Sequence, residues 1–180
     1  MKTTLTIDRS KPFDPTFFGT GWTVESENPK AIALTEVDFT KVTFDSFLRE
    51  GEETITGEEK LSRATDTLLL DAKIGQLLYE QKNQPLLNWL YDKKGICWME
   101  FAGTVLRDSV GRRYFLYLLR QLDGSWHWYY NWLGHGRHYG FVSPLLASAL
   151  TLNSSALIPL DFRKKLETAY ALIGEVLSTK

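Results

Sequence analysis

Between Cys97 and Leu133 the chain reads as three consecutive β-strands joined by two tight turns, and no other segment restricts its fold as strongly. Asp108-Ser109-Val110-Gly111 and Leu122-Asp123-Gly124 supply the turns. Asp-Gly is a strong hairpin signal, because glycine readily takes the positive φ that tight turns require. The spacing predicts strands over 96–107, with Gly103 as a bulge, over 112–121 and over 125–133. In the middle strand both alternating sets are apolar, Tyr114, Leu116 and Leu118 on one side and Phe115, Tyr117 and Leu119 on the other. A strand of that kind is covered on both faces. In the third, Trp126, Trp128, Tyr130 and Trp132 share one face, and His127, Tyr129 and Asn131 share the other. The tryptophans read as core and the opposite face as half-wet.

Helical signals surround the meander. Glu58 and Glu59 follow Thr56-Gly57, where acids suit the positive end of the macrodipole, and predict a short helix over 58–64. Asp71 is a good N-cap for a helix reaching about residue 82, with Ile74, Leu77 and Leu78 on one face. Whether these two fuse depends on 65–70, which local pattern leaves open. Pro85 opens another helix over 85–93, and Gly95 closes it. Ser143-Pro144 predicts a helix over 145–152, and Asp161 a last one carrying Phe162, Leu166, Ala169, Ile173 and Val176 on one stripe. Upstream, residues 3–7 read as a strand, 8–21 as a Pro- and Gly-rich wrap, 31–39 as extended and 44–49 as a helical turn ending at Gly51. The sum is an α+β fold: an antiparallel sheet with a three-stranded aromatic meander, about 96–133, packed against several helices. No repeat or linker divides the chain, so 1–180 reads as a single domain.

The bulk chemistry narrows function by exclusion. A net charge of −1 gives no general attraction for nucleic acid or anionic membranes. Between Glu25 and Asp66 eleven acids face five bases, which reads as a solvated acidic surface. The single cysteine, Cys97, excludes an intrachain disulfide framework and a Cys-based zinc motif. Residues 1–8 carry no secretory pattern and no apolar run is long enough to span a bilayer, so a cytoplasmic location without membrane association is expected.

Several segments together resemble a bacterial family of uncharacterised proteins: Leu34-Thr35-Glu36-Val37-Asp38-Phe39, Gly57-Glu58-Glu59-Lys60-Leu61, Leu70-Asp71-Ala72-Lys73, Gly103-Thr104-Val105-Leu106-Arg107, Asp123-Gly124-Ser125-Trp126 and Trp132-Leu133. The likeness spans roughly residues 11–148. It implies a bacterial source and no activity, since that family carries no assigned function. The chain departs from the family pattern over 134–141, where two histidines stand.

All three histidines, His127, His135 and His138, fall in one stretch. A metal centre needs converging imidazoles, and a glycine-flanked loop does not aim two rings at one point as a helical HExxH does; no metal and no cofactor are expected. Imidazole beside Arg113, Tyr129 or Arg137 suits acid–base chemistry on a phosphodiester, which defines the alternative reading: a His-dependent nuclease or hydrolase. Stacking of single-stranded nucleic acid on the aromatics is not expected, because no basic stripe accompanies them. Gly-rich phosphate loops and nucleophile elbows are missing from the sequence. The preferred reading is a non-enzymatic interaction or ligand-binding domain, using His127, Tyr129, Asn131, His135, Arg137, His138 and Tyr139 toward an unidentified protein or small ligand. The chain itself is expected to be a monomer or weak homodimer.

Overall fold

The protein is described from a computed structural model covering residues 2–80 and 84–146. In chain order the strands are β1 (Thr4–Thr6), β2 (Thr23–Glu27), β3 (Glu36–Asp38), β4 (Val42–Asp45), β5 (Ile55–Thr56), β6 (Leu68–Leu69), β7 (Trp98–Glu100), β8 (Thr104–Arg107), β9 (Arg113–Arg120), β10 (Trp126–Trp132), β11 (Gly136–Arg137) and β12 (Ser143–Leu146). The helices are α1 (Pro29–Ile32), α2 (Gly57–Arg63), α3 (Ala72–Glu80) and α4 (Gln84–Lys94), with a 3-10 turn at Pro15–Phe18. Antiparallel sheets and helices together make the expected α+β architecture.

The main sheet has five strands, in the order β10-β9-β8-β2, with β7 also paired to β9. β9 is central, as its two apolar faces predict. Tyr114, Leu116 and Leu118 join the core beneath α3 and α4, whereas Phe115 joins a second cluster with Ala64, Leu69, Val105 and Leu133. β10 pairs with β9 over its whole length, from Trp126 opposite Arg120 to Trp132 opposite Tyr114. Smaller sheets complete the structure: β1 with β3, β11 with β5, and β12 between β4 and β6.

The helix starts follow their local chemistry. Thr56 Oγ1 accepts from the Glu59 N–H at 3.2 Å, and Asp71 Oδ1 accepts from the Ile74 N–H at 3.1 Å. Gly95 ends α4 at φ +70°. β6 separates α2 from α3, so residues 57–80 hold two helices.

Four expectations are corrected. The single strand over 96–107 divides into β7 and β8, because the backbone at Gly103 leaves the sheet to meet the β6–α3 junction. A Cβ there would lie 2.4 Å from the Leu69 carbonyl oxygen, and the Gly103 N–H donates to Leu70 O at 3.0 Å. Residues 44–49 are not a helical turn: β4 runs into them and ends where Phe47 adopts φ +63°. Its N–H is held by Asp45 Oδ1 at 2.7 Å and its carbonyl by Arg63 Nη1 at 2.8 Å. The stretch 31–39 opens with α1, whose first N–H groups the Asn28 side chain caps, before β3 begins. Ser143-Pro144 starts a strand rather than capping a helix; β12 finds partners on both sides, and the Pro144 carbonyl accepts from the Leu70 N–H at 3.0 Å. The rest of that expected helix, and the one over 161–176, lie outside the described residues.

Among the described residues no helix is long and apolar enough to cross a membrane.

Candidate functional site

The pleat places Trp98 and Glu100 of β7, Phe115, Tyr117 and Leu119 of β9, and His127, Tyr129 and Asn131 of β10 on one face of the main sheet. This face has two halves with different chemistry. One half is covered by α2 and β11 and encloses charge. The other is a row of aromatic rings partly open to solvent.

In the covered half, Glu100 sits between two cations, all three fully buried. Arg137 Nε donates to Glu100 Oε1 at 2.8 Å and to Oε2 at 3.0 Å, and Lys60 Nζ donates to Oε2 at 2.8 Å. Asn131 Nδ2 adds a hydrogen bond to Oε1 at 3.0 Å. The excess positive charge is shared with carbonyl oxygens. Lys60 also reaches Phe141 O at 2.7 Å, and Arg137 reaches His135 O at 2.8 Å and Trp132 O at 3.1 Å. Burial works to raise the Glu100 carboxyl, but Lys60 and Arg137 overcome it and hold it below the ordinary carboxylate value. For Lys60, burial lowers the ammonium value against the pull of Glu100. Gly57 is required here, since a Cβ would stand 2.9 Å from Arg137 Cζ and from the Leu133 Cα. The Trp132, His135 and Phe141 carbonyls and the Glu100 carboxylate thus tie residues 131–141 to the sheet.

In the open half, rings follow one another across three strands into the next loop. His127 lies 6.3 Å from Tyr129, Tyr129 5.5 Å from Tyr117, and Tyr117 stacks on Trp98 at 4.7 Å. Trp98 touches Phe141 at 3.9 Å, Phe141 meets the His138 ring edge-on at 4.6 Å, and His138 meets Tyr139 at 5.8 Å. Both ends of the row reach solvent: His127 is exposed with Tyr129 beside it at 39%, and Tyr139 is exposed at 38%. His138 is half-buried, and burial pushes its imidazole below the ordinary histidine value. Its Nδ1 accepts from the Gly140 N–H at 3.2 Å, so the neutral ring carries its proton on Nε2.

The structure therefore unites His127, Tyr129, His138 and Tyr139 in one row, with Asn131 at its boundary. It separates the other two expected site residues. Arg137 is wholly buried and belongs to the ion network, where its Nε–H is shared between both oxygens of Glu100. His135 is exposed but packs edge-on against Trp132, on the other pleat face. Trp132 itself is 42% exposed and Tyr130 45%, so the face assigned wholly to core is buried only at Trp126 and Trp128. Sequence reasoning missed Lys60, Tyr117 and Phe141. A signal existed for Glu100, a lone acid inside the apolar run Trp98-Met99-Glu100-Phe101, whereas Lys60 sat in a charge run like any solvated lysine.

Among the described residues no group of three or more His, Cys, Asp or Glu side chains gathers where a metal ion could bind. An open pocket of about 260 Å³ lies apart from the row, lined by Glu27, Asn28, Leu61, Thr67 and Gly103 among others and by none of the seven candidates. Comparison with protein families, with characterised proteins and with solved structures finds no match to this chain.

Proposed function

We propose that this chain is a non-catalytic interaction domain that holds a protein partner on the open half of its main sheet. The observation that carries this reading is the unbroken row of rings from His127 through Trp98 to Tyr139, exposed at both ends and flanked on the same face by the Glu100 network. Tyrosine, tryptophan and histidine rings offer large contact area and lose little rotamer freedom on binding. The cations in the covered half of this face are engaged by Glu100, so they do not present charge to phosphate groups. The bacterial family that the sequence resembles has no assigned activity and sets no constraint on the partner.

The test places a photo-crosslinking amino acid at position 129 or 139 and, as a control, at Val110, which is 71% exposed in the β8–β9 turn. A protein captured from 129 and 139 but not from 110 is then purified, and its affinity is measured for the Tyr129→Ala, Tyr139→Ala double variant. A loss of at least tenfold supports the reading. Unchanged affinity overturns it.

A further inference from the structure

Among the described residues β10 is an edge strand whose outer side is unpaired over five residues. The Gln121 N–H donates to Ser125 O at 2.7 Å and the Leu133 N–H to Arg113 O at 2.8 Å, which sets the phase of the β9–β10 ladder. Residues 127, 129 and 131 therefore exchange hydrogen bonds with β9, and the backbone N–H and C=O groups of Trp126, Trp128 and Tyr130 point away from the sheet. Among the described residues no strand pairs with that side, and no backbone hydrogen bond reaches those three residues. The opening stops at Trp132, whose carbonyl accepts from the His135 N–H and from Arg137.

Edge strands are ordinarily guarded by lysine, proline, an inward charge or a bulge. β10 has none of these, and its register with β9 is regular throughout. It also exposes Tyr129, Tyr130 and Trp132.

We propose that two copies of this chain pair antiparallel along β10, with the twofold axis at Trp128. The outward residues are symmetric about that point, so the register is self-complementary: Trp128 meets Trp128 of the second copy, and Trp126 meets its Tyr130. Each of these pairs closes two backbone hydrogen bonds. On the other face, His127 meets Tyr129 of the second copy, so the two imidazoles never stand directly opposite one another. With no acid, lysine or arginine in the strand, like charges do not oppose the contact. Pairing fuses two five-stranded sheets and joins the two ring rows end to end.

The purified full chain alone is the probe, which separates this proposal from the partner-binding reading. Sedimentation over a concentration series is expected to show a monomer–dimer equilibrium. Tyr130→Pro removes an outward N–H without touching the β9 ladder, and is expected to weaken the dimer at least tenfold while leaving the circular dichroism unchanged. Tyr130→Lys, a milder edge guard at an exposed position, is expected to act in the same direction. In hydrogen exchange, the Trp126, Trp128 and Tyr130 amides become protected only at dimer-forming concentrations. A monomer at every concentration, or a dimer indifferent to both substitutions, overturns the proposal.

Discussion

The Arg137 guanidinium grips the Glu100 carboxylate through a single nitrogen, Nε, at 2.8 and 3.0 Å to the two oxygens, with neither residue exposed to solvent. That contact links a two-residue strand, β11, to the main sheet. It holds the loop that contributes His138, Tyr139 and Phe141 to the ring row. Packing, ion pairing and the candidate surface thus depend on one carboxylate.

Glu100→Gln is expected to destabilise the fold by about 3–5 kcal/mol, because it leaves two buried cations without their counter-charge. Lys60→Met removes one of the two cations and keeps the Glu100–Arg137 pair, so its cost is expected to be clearly smaller. Urea denaturation of both variants checks the order. Equal losses would mean that the charge balance is not what the core requires.

Acid is expected to weaken the fold in two stages. The folded His138 value lies below the ordinary 6.5, so the unfolded chain takes up that proton first as pH falls. Its contribution is complete above about 6.5 and is lost as pH falls through that value toward the folded one. The Glu100 value is also depressed, from 4.5, so its contribution stands above the ordinary carboxylate range and disappears as pH falls through the folded value. Urea midpoints across pH 5–7.5 should fall with acid in the parent chain and fall less in His138→Gln. Parallel profiles would assign the slope elsewhere.

Gly75 lets α3 approach the sheet. A Cβ there would sit 2.6 Å from Phe101 Cδ2 and 2.7 Å from Leu116 Cδ2, both side chains being fully buried. Gly75→Ala gains about 0.8–1 kcal/mol in helix propensity. Overpacking of this kind costs about 1–3 kcal/mol, so a net loss of stability is expected, measured as a lowered Tm with unchanged helical content. A stabilised Gly75→Ala would show that Phe101 and Leu116 can give way.

Local chemistry was sufficient for the elements that depend on neighbours in the chain. The starts of α2 and α3, the end of α4, the turn before β10 and the doubly apolar β9 all follow from residues a few positions apart, and so does the α+β class. It failed where partners come from far along the chain. β12 looks like a capped helix until β4 and β6 flank it, and the predicted first strand is one piece until Gly103 meets Leu69 and Leu70. The candidate surface divided along the same line. Pleat alternation placed His127, Tyr129 and Asn131 together, because that relation has a period of two. The sequence groups Arg137 with them as a contact residue, and only the fold buries it against a carboxylate 37 residues away. Charge is read as surface in a sequence because ionised groups are costly to bury alone. Whether an opposite charge arrives to meet them is a property of the tertiary structure.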